Sequence, residues 1–428
     1  MNYDEAVKYI KDTAAFGSKL GLDNIRTLMS LLGDPQEKLR CIHIAGTNGK
    51  GSVAAYMLSV LVKAGYRTGF YTSPELMRFS ERIRINEEEI SEADIACYAT
   101  KVRDKAEYMR PHAMGDPTEF ELVLAMAFCY FLDNKVDAVI LEVGLGGRLD
   151  ATNVISSSLL SVITKISFDH MQYLGNTLRE IAYEKASIIK PGGRVIVYPG
   201  NKDVMTVYEE MCRDKGASLF TAVLPSERRA LSPALASDKT GQQFILKGES
   251  YTTKMAGTYE ADNAALAIQA LKLLPFDMTE DFIHEGINDA VWPGRFEILS
   301  KTPLIIADGA HNEDGARALA ATLKEYFGDG KVTLCLGILR DKEYEKMLRL
   351  LLPLSDRVIV CEVPNPRTLK AEELARIIRQ ETEEPELIIA HTPGEAFEEI
   401  KKLQYDTAAI ICGSLYLAGP MRELITSP

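Results

Sequence analysis

Residues 39–64, LRCIHIAGTNGKGSVAAYMLSVLVKA, decide the fold. Leu39–Ala45 is an apolar run of strand length. It stops at a glycine-rich loop, Gly46-Thr47-Asn48-Gly49-Lys50-Gly51-Ser52. Beyond the loop, Val53, Met57, Leu58 and Leu61 recur at helical spacing over Gly51–Ala64. Strand, loop and helix together make an anion cradle. Backbone N–H groups at a helix N-terminus point at the ligand, and glycines let the main chain approach phosphate oxygens. Lys50 would reach the outer phosphates of a nucleotide, and Ser52 would hold Mg²⁺. The spacing is unusual, because the common loop has four residues between its glycines and a Ser or Thr directly after its Lys. Here two residues separate Gly46 from Gly49, and Gly51 stands between Lys50 and Ser52. A plain glycine turn with one solvated lysine is the competing reading.

Outward from this segment, strand-like runs alternate with helical ones. Arg67–Thr72, Val136–Val143, Leu159–Ile166 and Arg194–Tyr198 read as strands, and Glu119–Leu132 as a helix apolar enough for burial between layers. Such alternation predicts a mostly parallel sheet covered on both faces. From Ser218 to Met255 the runs shorten. Ser218–Val223, Gln243–Lys247 and Tyr251–Met255 predict a small antiparallel patch, and Ala261–Leu274 returns to helix. Trp292-Pro293-Gly294-Arg295 punctuates the chain. A second α/β series follows, with strands at Leu304–Ala307, Val332–Gly337, Arg357–Val363, Leu387–Ala390 and Ala408–Cys412. A chain of 428 residues is long for one core. The expected fold class is therefore α/β. A P-loop parallel-sheet ATPase domain with a small antiparallel patch occupies 1–294, and a smaller Rossmann-like α/β domain occupies 295–428.

The formal net charge of -12 disfavours general nucleic-acid binding, which needs a basic face. The seven cysteines are scattered, with no CxxC, so neither a metal cluster nor a disulfide framework is expected. MNYDEAVKYIKDTAAFG at the start reads as an amphipathic helix rather than a signal peptide. No apolar run approaches the roughly 20 residues of a membrane span. A cytoplasmic location is expected.

Three further groups carry chemistry. Glu142 lies near the carboxyl end of a strand otherwise made of apolar residues, the edge where ligands of open α/β sheets gather. It suits Mg²⁺, and equally a structural salt bridge with Arg148. Ser167-Phe168-Asp169-His170 follows the next strand, and the helix Thr177–Ile189 carries Glu184 and Lys185. Taken alone, His170 reads as a packing residue and Lys185 as a solvated one. Asp308-Gly309-Ala310-His311-Asn312 follows the first strand of the second series. Asp308 would suit ribose hydroxyls and Arg295 transferred phosphoryl charge. An Asp-Gly turn and a junction ion pair account for them as well.

Together these residues resemble the folylpolyglutamate synthase / dihydrofolate synthase family, within the Mur ligase superfamily. Ile42–Ser52 resembles its P-loop signature, unusual spacing included, and Glu142–Val154 (EVGLGGRLDATNV) its second signature. Similarity continues at Asp169-His170, Glu184-Lys185-Ala186, Trp292–Glu297, Asp308–Asn312 and Gly413–Leu417. Three positions depart from the family pattern. Glu75 stands in Ser73-Pro74-Glu75-Leu76 where His is common, Tyr259-Glu260 stands where His-Gln is common, and Ser187 replaces a glycine.

The resemblance implies an ATP-dependent amide ligase that adds L-glutamate to a reduced folate, with dihydropteroate as another acceptor, through an acyl phosphate. It implies ATP, Mg²⁺ and a monovalent cation such as K⁺ as cofactors. Gly46 to Ser52 with Asn263, Arg295, Asp308 and His311 would bind ATP. Ser52, Glu142 and His170 would place metal. Lys50, His170 and Lys185 would serve catalysis, Lys185 matching a lysine often carbamylated in the superfamily. Ser73, Asp150 and Ser414 would face the folate or glutamate. The expected chain is a monomer with small-molecule substrates, no nucleic acid and no membrane. Another Mur-type amino-acid ligase is the nearest rival, but only 45 residues precede Gly46, too few for the nucleotide-sugar domain of cell-wall ligases. A P-loop NTPase switch leaves Asp308–Asn312 unexplained.

Overall fold

The computed structural model describes residues 1–13, 21–112, 114–232, 240–382, 384–404 and 407–427. Two compact units divide the chain: Met1–Val223 with Ala265–Ile287, and Leu224–Ala264 with Asn288–Pro428. The expected division into 1–294 and 295–428 is sequential, whereas these units interleave along the chain.

The first unit is built on β1 (Cys41–Ala45), β2 (Thr68–Tyr71), β3 (Ile83–Ile85), β4 (Glu88–Glu89), β5 (Ala138–Glu142), β6 (Leu160–Ile163), β7 (Arg194–Val197) and β8 (Ser218–Thr221). Their order in the sheet is β4-β3-β2-β5-β1-β6-β7-β8. Neighbours from β2 to β8 are parallel. The short β3 and β4 extend the sheet antiparallel at one edge. β1, β2, β5 and β6 are buried along their whole length, as their near-continuous apolar sequence requires.

One face is covered by helices Tyr3–Asp12, Asp23–Leu31, Glu92–Met109 and Glu119–Asp133. The last starts at a capping box, in which Thr118 and Glu121 satisfy each other's backbone N–H groups. It is then buried without a break from Glu121 to Phe131. Truncating fully buried Phe128 or Phe131 to Ala would destabilise by about 3–5 kcal/mol. Helices Leu178–Ala186 and Lys202–Lys215 pack Ala182, Ala186, Val207 and Tyr208 against Ile163, Val195 and Val197. The amphipathic helix expected from the N-terminus forms over Tyr3–Asp12, and its last expected residues, 14–17, lie outside the described residues.

Ser218–Val223 corrects an expectation. It does not join an antiparallel patch, because β8 pairs parallel with β7 from Arg194↔Ser218 to Val197↔Thr221. As an edge strand it is mostly exposed, so it lacks the continuous apolar run that marks a buried parallel strand.

In the second unit the antiparallel patch consists of β9 (Glu227–Ala230), β10 (Gln242–Leu246) and β11 (Glu249–Thr253). A separate six-stranded sheet contains β12 (Glu297–Lys301), β13 (Leu304–Ala307), β14 (Val332–Leu336), β15 (Ser355–Cys361), β16 (Glu386–Ala390) and β17 (Ala409–Cys412), in the order β12-β13-β17-β14-β15-β16. All neighbours there are parallel except β12 with β13. Helices Glu313–Phe327, Tyr344–Leu351 and Ala371–Glu381 seal one face with Leu319, Leu323, Met347, Leu351, Leu374 and Ile378. Among the described residues no helix is long and apolar enough to cross a membrane. All seven cysteines are free.

Candidate active site

Strand register assembles the first group of site residues. Ile44 pairs with Glu142 and Ala45 with Ile163. The glycine loop after β1, Glu142 at the end of β5 and the segment after β6 therefore leave the same edge of the sheet. β2 and β5 lie on one side of β1, and β6 to β8 on the other. Such a switch point opens a crevice at the carboxyl ends of the strands.

The loop is tied to the chain that follows β6. Thr47 N–H donates to Lys165 O at 2.9 Å. The Thr47 hydroxyl donates to Ser167 O at 3.0 Å and accepts from Ser167 N–H at 3.1 Å. Thr164 Oγ1 donates to Asn48 O at 2.7 Å. Gly46 has φ +152°, and a Cβ there would overlap Thr164 Oγ1, so no side chain fits. Helix Lys50–Lys63 opens directly on Gly49, itself at φ 88°. Lys50 Nζ turns back to Gly46 O at 3.2 Å and Thr47 O at 3.3 Å. Ser52 is buried in the first turn.

Lys185 is buried and donates to Gly46 O at 2.8 Å. Burial above all, and then the Lys50 charge, push its pKa down to about 7, against the pull of Asp169, Asp150 and Glu184. Glu142 is buried and accepts the Thr72 hydroxyl. Arg148, close to Glu142 in sequence, pairs with Glu184 at 2.9 Å. Ser73 follows Thr72 and is half-buried. Asp150 is buried, accepting from Leu145 N–H at 2.8 Å, Thr152 N–H at 3.0 Å and the Thr152 hydroxyl. Burial raises the Asp150 pKa and these donors oppose the rise. His170 is half-buried with φ 51°, a left-handed conformation uncommon outside glycine. Its N–H donates to Asp169 Oδ1 at 2.8 Å.

Ser52 and Glu142 offer hard oxygen atoms of the kind Mg²⁺ prefers. Gly46 makes room for Thr164, which braces the loop, and the start of helix Lys50–Lys63 beyond it suits a phosphate. These residues fit a nucleotide with its metal.

The remaining candidate residues lie in the second unit. Asp308 and Ser414 follow the adjacent strands β13 and β17, whose register pairs Ala307 with Ile411. Asp308 is buried, and both its oxygens are engaged. Oδ2 accepts the Tyr259 hydroxyl at 2.7 Å and Phe296 N–H at 3.0 Å, and Oδ1 accepts Ala310 N–H at 2.8 Å. The Asp-Gly turn expected from the sequence is thus present, with Asp308 organising it. His311 Nδ1 donates to Gly309 O at 2.8 Å. Asn263 donates to the buried Glu260 at 3.1 Å. Arg295 is half-buried, with Nη1 3.0 Å from where a Cβ on Gly309 would sit. Ser414 is buried and caps helix Leu415–Thr426 through Tyr416 N–H.

Residues 44–271 match the Mur ligase middle domain, and residues 294–415 match the Mur ligase glutamate ligase domain. The dihydrofolate synthase/folylpolyglutamate synthase of Bacillus subtilis is 36% identical, over 98% of each chain. The folylpolyglutamate synthase of Lacticaseibacillus casei is 35% identical, over 99% of each. The crystal structure of Mycobacterium tuberculosis folylpolyglutamate synthase, complexed with ADP and AMPPCP, superposes with a TM-score of 0.87 at 32% identity, covering 100% of each chain. The chain belongs to the folylpolyglutamate synthase / dihydrofolate synthase family. It is a ligase of the Mur type.

Against the family pattern, each departure has a local role. Glu75 lies 3.8 Å from the buried Arg82 guanidinium, which also holds Glu119 at 2.7 Å. Tyr259 takes an oxygen of Asp308, and Ser187 closes its helix by donating to Tyr183 O at 2.7 Å. Sequence reasoning missed Thr164, Thr72 as the partner of Glu142, and Thr152. Each acts across the fold on a residue distant in sequence or through one hydroxyl, and no spacing pattern marks them.

Proposed function

We propose that this chain adds L-glutamate to a reduced folate in an ATP-dependent reaction, with dihydropteroate as a second acceptor. The observation that carries the reading is the convergence of the Gly46–Ser52 loop, Glu142 and Lys185 at one sheet edge. In the proposed reaction an acceptor carboxylate oxygen attacks the γ-phosphorus of ATP, and the bond to ADP breaks. The glutamate amine then attacks the acyl phosphate carbon through a tetrahedral intermediate, loses a proton, and phosphate leaves with its electron pair.

The N–H groups of Lys50 to Ser52 at the helix start, with the Lys50 side chain, bind and orient the phosphates and hold charge on the transferred group. Ser52, Glu142 and His170 are proposed to hold Mg²⁺, which supplies charge neutralisation at the phosphates. A monovalent cation such as K⁺ enters the proposal on family resemblance alone. Lys185, with a pKa near neutrality, is proposed to serve catalysis as a carbamate, since only the free amine adds CO₂. Asn263, Arg295, Asp308 and His311 are proposed ATP contacts, and Ser73, Asp150 and Ser414 contacts to folate or glutamate. A functional division at 1–294 and 295–428 draws support from the two family matches, 44–271 and 294–415. A monomeric, cytoplasmic enzyme completes the reading, consistent with seven free cysteines.

The test is ADP release by purified protein with and without glutamate and each acceptor. Coupled turnover needing both substrates is expected. ATP hydrolysis that ignores both would sink the ligase reading, and undiminished turnover in Lys50→Ala would remove the loop from it.

A further inference from the structure

His43 sits in the middle of β1, three residues ahead of the glycine loop, and is fully buried. Its neighbours on the strand are aliphatic. An apolar side chain would satisfy that burial better, because among the described residues His43 Nδ1 has no hydrogen-bond partner. The other nitrogen is engaged. Nε2 lies 2.9 Å from Thr152 Oγ1.

The direction of that bond follows from proton counting. Thr152 has one hydroxyl proton, and Oγ1 donates it to Asp150 Oδ1. Oγ1 can then only accept from His43, so the imidazole carries its proton on Nε2 and Nδ1 is bare. Burial, and then the Lys190 charge, hold the imidazole pKa well below its usual value, in keeping with this neutral tautomer. The chain of donors runs His43 to Thr152 to Asp150. Asp150 in turn accepts Leu145 N–H at 2.8 Å from the glycine-rich turn after β5. A Cβ on Gly144 in that turn would lie 3.3 Å from Asp150 Oδ2. Each bond polarises the next, and the Thr152 rotor is locked from both sides.

We infer that His43 is a positioning residue for the acceptor side of the site, fixing the Asp150 carboxylate through Thr152. The inference rests on the proposed acceptor role of Asp150. It makes β1 serve two purposes: its end opens the phosphate loop, and its middle holds the acceptor carboxylate.

The experiment measures kcat and KM for ATP and for each acceptor in His43→Leu, His43→Gln, Thr152→Val and Asp150→Asn. Leu145 amide exchange in the free protein reports the placement of Asp150 without any substrate. His43→Leu and Thr152→Val should each raise the acceptor KM about three- to tenfold, the scale of one buried hydrogen bond, with the ATP KM held. The double variant should be no worse than either single one, and Leu145 exchange should quicken in both. His43→Gln keeps a donor near the Nε2 position and should recover most of the loss. A Gln variant as impaired as the Leu variant would make His43 a mere spacer. So would an ATP KM that rises with the acceptor KM, or unchanged Leu145 exchange, and any of these overturns the inference. An acceptor KM unmoved by Asp150→Asn would instead remove the acceptor role of Asp150. Thr152→Val, distant in sequence from the phosphate loop, keeps the test open should His43→Leu fail to fold.

Discussion

The side-chain nitrogen of Lys185 donates to the carbonyl oxygen of Gly46 at 2.8 Å, across 139 positions of sequence. This bond joins helix Leu178–Ala186 to the first residue of the phosphate loop, and it places a buried amine beside Lys50. Burial first, and then the neighbouring Lys50 charge, make the protonated form of this amine costly.

That arrangement predicts a pH-dependent stability. An unfolded lysine keeps its proton up to about 10.5, whereas folded Lys185 releases it near 7. Between these values the unfolded chain binds more protons, so stability rises with pH, and below 7 the full penalty of a buried charge is present. Lys185→Met should remove this slope and be more stable than the unaltered chain at pH 6, by at least about 1 kcal/mol. Urea denaturation at pH 6 and 9 measures it. The same variant should lose ligase turnover. A slope unchanged by the substitution would mean that the amine stays charged when buried.

Gly46→Ala tests the loop itself. The added methyl would overlap Thr164 Oγ1, which donates to Asn48 O at 2.7 Å, and the backbone at φ +152° already disfavours a side chain. Displacing Thr164 would release the loop as well as strain it. The expected outcome is a destabilisation of about 1–3 kcal/mol and ATP binding weakened at least tenfold, read by calorimetry. Gly46→Ala with normal affinity would show that the close approach at Gly46 does not matter for nucleotide.

Legibility in the sequence followed the range of the forces involved. β1, the glycine loop and helix Lys50–Lys63 could be read because a buried parallel strand is continuously apolar and a helix repeats every few residues. β9, with the sequence Glu227-Arg228-Arg229-Ala230, could not. It carries almost no apolar content and is held by its ladder with β10. The same limit applied to the site. Arg148 was a natural candidate partner for Glu142 because it is close in sequence, but the hydroxyl that binds Glu142 comes from Thr72, on the neighbouring strand's exit. The turn at Asp308 was readable from local chemistry, since Asp308 Oδ1 accepts the N–H two residues on. The bond from Tyr259, 49 positions earlier, was not.

Tyr259→Phe isolates that bond. Burial first, and then Asp308 and Glu260, push the phenol pKa well above its usual value, so the hydroxyl is a permanent donor. Removing it leaves Asp308 Oδ2 with the Phe296 N–H alone of these two donors. A loss of about 1–3 kcal/mol is expected from a buried carboxylate deprived of a donor, measured by chemical denaturation. Tyr259→His, which restores the residue common in the family, should recover part of it. Equal stability of the Phe variant would mean that the hydroxyl does not support the Asp308 turn.

Glu142 separates metal binding from structure. Its buried carboxylate accepts the Thr72 hydroxyl and offers the hard oxygen atoms that Mg²⁺ prefers. Glu142→Gln keeps the size and an acceptor oxygen but removes the charge. Turnover of the unaltered chain should vanish with EDTA and return with Mg²⁺. The Gln variant should need about tenfold or more Mg²⁺ for half-maximal rate, the range seen when a metal site loses a supporting group. Thr72→Val leaves the charge and removes one hydroxyl donor, so its Mg²⁺ requirement should rise less than that of the Gln variant. The ordering of the two variants is the decisive readout. If Thr72→Val matches Glu142→Gln, the carboxylate acts through its hydrogen bond and not as a ligand. If neither moves the Mg²⁺ curve, the metal is held elsewhere.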